Sequence, residues 1–248
     1  MNIIGRKIIF EEKVDSTNRW IRENLSGKSE HNGSLVWAAE QTKGRGQGKN
    51  CWESEKSKNL TFSFIIFPQK LEVVKQFEIS KIISVAICNY LSSYSEDVKI
   101  KWPNDIYIGD KKIAGILIEN TLFDKYIHES IVGIGININQ EYFSDSLPNP
   151  ISLKQYTKNE HNLKKILADL IAEFNVQLEM LNKQNYELID YAYHKQMYKL
   201  NETAKFKSEK QTFDAKIKGV DDIGCLILEF NNKRVAFQHH EVKMLVNK

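Results

Sequence analysis

The chain has 248 residues, 42% of them hydrophobic, and its 35 basic and 32 acidic side chains leave a formal charge of +3. That length and apolar content suffice for one large domain or a catalytic domain with a small module, and the near balance of charge gives no compositional case for a nucleic-acid or membrane-surface partner. Three scattered cysteines without a CxxC pair (Cys51, Cys88 and Cys225) argue against a disulfide framework and a structural zinc, and no uncharged stretch approaches the roughly 18 residues that span a bilayer.

The opening MNIIGRKIIFEEKVD reaches acidic residues before any apolar run long enough for a signal sequence, so the expected compartment is the reducing cytoplasm. Residues 6–14 read as a short strand. Asp15-Ser16-Thr17-Asn18 then supplies candidate caps for a helix over Arg19 to Leu25, and the same hydroxyls and free backbone N–H groups suit polar ligand atoms equally well. SLVWAAE, from Ser34 to Glu40, reads as the next strand, and it leads into the loop QTKGRGQGKNCW. There Gly44, Gly46 and Gly48 stand at alternate positions with Lys43, Arg45 and Lys49 among them, so the backbone can approach a ligand while the cations offset anionic charge. It is not a Walker A loop, which needs glycine at Lys43 and Ser or Thr at Asn50, nor GxGxxG, which needs glycine at Lys49. A flexible basic surface loop would share this composition. Trp52 closes it, either as an anchor in the core or as a stacking surface.

Leu60 to Phe67 is apolar and β-rich, a buried strand by pattern, and Glu72 to Tyr94 carries an apolar stripe at helical spacing that reads as scaffold. KWPNDIYIGDKKIAGILIEN, residues 101–120, has two strand-like runs, VKIKW and IAGILIE. They flank turn signals at Pro103-Asn104-Asp105 and Gly109-Asp110, which draw Lys101, Asn104, Asp105 and Lys112 into one small volume. On a strand from His128 to Asn139, Gly133, Gly135, Asn137 and Asn139 share one face and the aliphatic residues the other. Such a face clears space for a ligand and then offers it amides, and a bulge or close strand packing would also account for the glycines. Asn162 to Leu181 reads as an amphipathic helix, and a second helical pattern continues to about Leu200. Beyond it, short strands separated by Asp-Asp-Ile-Gly and Asn-Asn-Lys turns predict a small β-barrel. His239-His240-Glu241 does not make a metal site, because neighbours on a strand point to opposite faces.

No Gly-x-Ser-x-Gly elbow, HExxH or Cys/His pair supplies a protein nucleophile. Positive charge and glycine around a pocket suit a reaction in which two anions must meet, such as a carboxylate attacking the α-phosphate of ATP, where placement and charge compensation suffice.

STN at Ser16 to Asn18, the EQTKGRG loop, KWPND at Lys101 to Asp105, KIAGILIE from Lys112 and GIGININ from Gly133 stand in the order and spacing of biotin protein ligases. The chain resembles that family over nearly its whole length. The resemblance implies an α+β fold, with a mixed-sheet catalytic domain of the biotin/lipoate ligase type over residues 1–198 and an SH3-like β-barrel over 199–248. It implies that ATP and Mg²⁺ convert biotin to biotinyl-5′-adenylate, and that the biotinyl group passes to a lysine of a biotin carboxyl carrier domain. Biotin contacts are implied for Ser16, Thr17, Asn18, Gln41, Arg45, Gly46, Gln47, Lys112, Gly115, Gly133 and Gly135. Nucleotide contacts are implied for Arg45, Gln47, Lys49, Trp52, Lys101, Asn104, Lys112 and Asn137. Lys112, Asp105 and Arg45 would carry the chemistry, Asp105 as base for the acceptor amine; the metal ligands are not implied.

Many members carry arginine where this chain has Gln47, which shifts adenylate retention towards Arg45, Lys49 and Lys112. Barely fifteen residues precede STN, as in the short form without a DNA-binding domain. DNA and membrane partners are therefore not expected, and the chain would act as a monomer or homodimer. The neighbouring alternatives are a lipoate or octanoate ligase or transferase of the same fold, and a biotin-binding sensor without catalysis.

Overall fold

The computed structural model describes residues 3–48, 50–209 and 211–245. Strand β1 (Lys7–Val14) runs parallel to β2 (Ser34–Gln41), with helix α1 (Thr17–Asn24) in the crossover that parallel pairing requires. The remaining pairings are antiparallel. They link β2 to β3 (Leu60–Ile66), β3 to β7 (Tyr126–Ile136), β7 to β6 (Lys111–Phe123), β6 to β5 (Asp105–Ile108), and β5 to β4 (Val98–Lys101). The product is the expected mixed sheet, seven strands in the order β1-β2-β3-β7-β6-β5-β4.

Neighbouring residues of each central strand project to opposite faces, and both faces are covered. On one side Val36, Ile65 and Ile131 pack with Ile21 and Leu25 around α1. On the other side Leu35, Phe64 and Val132 join the main core with α2 (Phe77–Leu91) and α4 (Leu163–Asn182). Between β7 and α4 lies the short α3 (Leu153–Thr157), whose Ser152 and Gln155 form a reciprocal capping box. Helix α5 (Tyr186–Lys195) leads to a second, antiparallel sheet. It is built from β8 (Thr203–Ser208), β9 (Thr212–Val220), β10 (Leu226–Phe230), β11 (Lys233–Phe237) and β12 (Val242–Met244), in the order β11-β10-β9-β8-β12. Its tight connections fall at Asp221–Gly224 and at Asn231-Asn232, whose positive φ values suit asparagine.

The small sheet is welded to the large one. Phe206, Ile217, Leu228 and Val242 belong to the same apolar core as α2 and β4. Trp102 Nε1 donates to the Gly224 carbonyl at 2.9 Å, the Val220 amide donates to His194 Nε2 at 3.1 Å, and the Phe77 ring fills the space a side chain at Gly224 would need.

Several sequence expectations are corrected. The 101–120 stretch folds back twice, because Asp105–Ile108 forms a strand of its own between the two turns. Strand β7 ends at Ile136, so Asn137 and Asn139 lie beyond it and do not continue the glycine face. Helix α2 starts at Phe77, after a single 3₁₀ turn at Val73–Lys75, and α5 ends at Lys195. His239 and His240 stand in the turn between β11 and β12, not on a strand; among the described residues no cluster of three or more His, Cys, Asp or Glu could hold a metal. No described helix is long and apolar enough to cross a membrane.

Candidate functional site

A cleft of about 610 Å³ opens above β6 and β7 and is bounded on its far side by the small sheet. Its floor is bare backbone. Gly115 and Gly135 stand directly opposite each other in the β6–β7 pairing, and Gly133 is two residues along. A Cβ at Gly133 would lie 2.1 Å from Asn18 Oδ1, and one at Gly135 would lie 2.2 Å from the Trp52 ring, so both positions exclude any side chain.

One wall comes from the start of α1. Ser16 occupies the N-cap position, yet its side chain makes no capping bond, so the simple cap reading fails. The following polar groups bond into the cleft wall instead. The Thr17 amide and hydroxyl both donate to Gln41 Oε1, at 2.8 and 3.1 Å. Ser63 Oγ lies 2.6 Å from both Thr17 Oγ1 and Asn18 Oδ1, and Asn18 Nδ2 donates to Glu119 Oε2 at 2.8 Å. Thr17, Asn18 and Ser63 are buried and Gln41 and Glu119 partly so, and the groups satisfy one another, so their rotamers are fixed before any ligand arrives.

The glycine loop covers the same end. Arg45 bridges to Cys51, the Gly46 amide donates to the Asn50 carbonyl at 2.8 Å, and the Trp52 amide donates to the Gly44 carbonyl at 3.0 Å. The loop therefore has an internal hairpin, which its composition did not reveal. Arg45 Nη1 lies 3.1 Å from Glu119 Oε1, and Gln47 lines the cleft. The Trp52 indole lies over Gly115 and Gly135, with its Nε1 buried and unbonded among the described residues. It anchors the loop, and it does so on the cleft floor rather than in the core.

Charge gathers at the other end. Lys112 Nζ is 2.6 Å from Asp105 Oδ1 and 5.7 Å from the centre of the Trp52 ring. Lys101, on β4, is lowered from the usual lysine range mainly by burial; Asp105 opposes that shift, and Lys112 and Lys243 add to it by repulsion. Burial also pushes the Tyr107 hydroxyl up to about 12, so it stays a neutral donor beneath Lys101. Lys207, His239, His240 and Lys243 of the small sheet complete the rim, so cations outnumber carboxylates around the opening.

The cleft thus brings together Ser16, Thr17, Asn18, Gln41, Arg45, Gly46, Gln47, Trp52, Lys101, Asn104, Asp105, Lys112, Gly115, Gly133 and Gly135. Asn104 has a structural task as well, since its Nδ2 donates to the Ile116 carbonyl at 2.7 Å. Asn137 is not part of the lining. Its side-chain Nδ2 donates to the Ile151 carbonyl at 3.2 Å, which fixes the segment before α3. Lys49 lies outside the described residues. Sequence reasoning overlooked Ser63, Glu119 and the whole rim from the small sheet. The first two had a signal: Ser63 breaks the apolar run FSFII of β3, and Glu119 shares the face of Gly115 by alternation along β6. The rim had none, because its nearness to the cleft is purely tertiary.

The arrangement can bind a ligand with a polar ring at the α1 wall and hold anionic groups near Lys112 and Lys101. Comparison with known proteins points the same way. Residues 10–137 match the profile of the Biotin/lipoate A/B protein ligase family. The chain is 30% identical to Biotin–protein ligase 2 of Arabidopsis thaliana, over 95% of this chain and 73% of that one. It is 28% identical to the bifunctional ligase/repressor BirA of Bacillus subtilis, over 92% of this chain and 71% of that one. Among solved structures it is similar to the biotin protein ligase of Aquifex aeolicus in complex with biotin and ATP, with a TM-score of 0.81 and 25% identity, covering 98% of this chain and 100% of that one.

Proposed function

The chain belongs to the biotin/lipoate A/B protein ligase family, and from that premise we propose that it is an ATP-dependent biotin protein ligase acting on a carrier-domain lysine. The observation that carries this reading is the Lys112–Asp105 pair, set beside a floor of three glycines and against the Trp52 ring that ends the Arg45 loop. Biotin's carboxylate and the nucleotide are both anionic, and two unit charges about 4 Å apart repel by roughly 4 kcal/mol at an effective dielectric of 20. Lys112 and Lys101 offset that repulsion, and the bare backbone lets the reactants lie close.

In the first step the biotin carboxylate attacks the α-phosphorus of ATP, and pyrophosphate leaves with the bonding pair. The product is biotinyl-5′-AMP. In the second step a neutral lysine amine of the acceptor attacks the acyl carbon and AMP departs; Asp105 is the carboxylate placed to take the amine's proton. The α1 wall, with Ser16, Thr17, Asn18 and Gln41, holds the ring end of biotin. Trp52 offers its face to the nucleotide base. Mg²⁺ would supply charge neutralisation on the triphosphate; a magnesium ion of that kind needs only one or two protein carboxylates, and Asp105, Glu209 and Glu241 line the cleft. Residues 1–198 form the catalytic domain in this reading, and 199–248 the SH3-like domain that closes its rim. The acceptor is a biotin carboxyl carrier domain of a biotin-dependent carboxylase.

Biotin-dependent exchange of pyrophosphate into ATP tests the reading, run with biotin and lipoate separately. Exchange with biotin alone is expected, and Lys112→Ala should lower it about 10²–10³-fold, the usual cost of removing one group that stabilises developing charge. Exchange with lipoate alone would move the chain to the lipoate branch. Exchange with neither would point to a sensor.

A further inference from the structure

Glu119 does not line the cleft, yet three groups converge on its carboxylate. Arg22 Nη2 and Arg45 Nη1 each lie 3.1 Å from Oε1, and Asn18 Nδ2 donates to Oε2 at 2.8 Å. The Glu119 side chain is only 18% exposed while both arginines are about half exposed, so these ion pairs are partly screened, less than a pair standing wholly in open water.

Each partner belongs to a different part of the site. Arg45 is on the glycine loop, Asn18 is in the wall that also holds Thr17, Ser63 and Gln41, and Arg22 is on the outer face of α1. At its root the loop is fixed by backbone bonds from Thr42 to Val14 and from Lys43 to Asp15. Among the described residues its remaining backbone bonds are internal to the hairpin, and the Arg45–Glu119 pair is the ion pair that ties the hairpin to the sheet. Arg22 has a different effect. If the loop lifts, Arg22 still compensates the half-buried carboxylate, so release does not leave a bare charge behind. The pair is therefore built to open and close.

We propose that Glu119 is a positioning residue that clasps the Arg45 loop over the cleft and couples its closure to the α1 wall through Asn18. The consequence for catalysis rests on the ligase reading: a mixed anhydride must be shielded from water and from stray amines until its acceptor arrives. Because Gln47 carries no charge, retention of the intermediate in this chain depends on the clasp.

Amide hydrogen exchange of the ligand-free protein tests the clasp whatever the reaction is. In Glu119→Gln the Gly46 and Trp52 amides should exchange about two- to fivefold faster than in the parent, as expected for loss of an ion pair in a partly exposed setting. The Phe62 amide, in the middle of β3, should be unchanged. Arg45→Ala should accelerate the same loop amides, and the double variant should be no faster than the faster single one. Parent-like loop exchange, or additive effects in the double variant, overturns the clasp. With biotin, ATP and an acceptor domain, Glu119→Gln should raise the ratio of bystander-lysine to acceptor labelling; a proportional fall in both would mean plain destabilisation and count against the proposal. The two readings separate cleanly. A freed loop in a chain whose parent shows no biotin-dependent exchange sinks the ligase reading alone, and an active parent with an unaltered loop sinks the clasp alone.

Discussion

At Gly135 a single hydrogen atom in place of a methyl group keeps the cleft usable. An added Cβ would stand 2.2 Å from Cε2 of Trp52 and 2.6 Å from its Nε1, contacts that no small adjustment relieves, so the indole must lift from the floor. Gly135→Ala should therefore lower biotin-dependent exchange about 10²-fold, the scale of loss when reacting groups are displaced by about 1 Å. Thermal unfolding should barely move, because Trp52 is only half-buried. Exchange kinetics and a melting curve on the same variant check this, and parent-like kinetics would mean that the glycine is a packing device only. Glycine, lysine and hydroxyl positions were readable in the sequence because their chemistry is local: Lys112, Gly133, Gly135 and Thr17 all face the cleft as expected. Asn137 was misread for the opposite reason. Alternation holds only while a strand lasts, and β7 stops one residue earlier.

Among the elements, α2 was read as featureless scaffold, and it hides a charge. Lys81 is 1% exposed in the middle of this helix, its Nζ 2.9 Å from Glu78 Oε1 and paired with Asp190 of α5. Glu78 is equally buried, and burial holds its carboxyl above the ordinary range even against the pull of Lys81. A lysine interrupting an apolar stripe normally marks the solvent side of a helix, and nothing in the pattern announced that α5 would lie over it. Replacing one partner alone strands the other. Lys81→Met should destabilise the protein by about 3–5 kcal/mol, the usual cost of an uncompensated buried charge, and Glu78→Gln in the same chain should recover most of that loss. Urea unfolding of the single and double variants measures both, and a loss under about 1 kcal/mol for Lys81→Met, the range of exposed pairs, would show that water reaches the site. The strands were more legible than the helices' contents. Apolar and β-branched runs located β1, β2 and β3 to within a residue or two, while β6 runs four residues past the IAGILIE segment to Phe123 and the four-residue β5, squeezed between two turns, was absorbed into them.

For the whole molecule, length and composition left open one large domain or a catalytic domain plus a small module, and the chain forms two sheets. Their independence was not legible either way, because it depends on contacts between distant segments. Leu228 and Phe206 of the small sheet share one core with Ile100 and Trp102 of the large one, and the Trp102, Val220 and Lys75 contacts cross the same boundary. The two sheets should accordingly unfold together. Far-ultraviolet circular dichroism and tryptophan emission should trace one coincident transition in urea, and two resolved transitions would show that the small sheet is an autonomous unit. The same cleft that both sheets enclose has one further property. Trp52 rests on naked peptide at its floor, where the incoming molecule has to lie, so an intrinsic fluorophore stands in the path of every binding event. Occupancy can consequently be followed by light in unmodified protein, with no label added at a surface too tight to accept one.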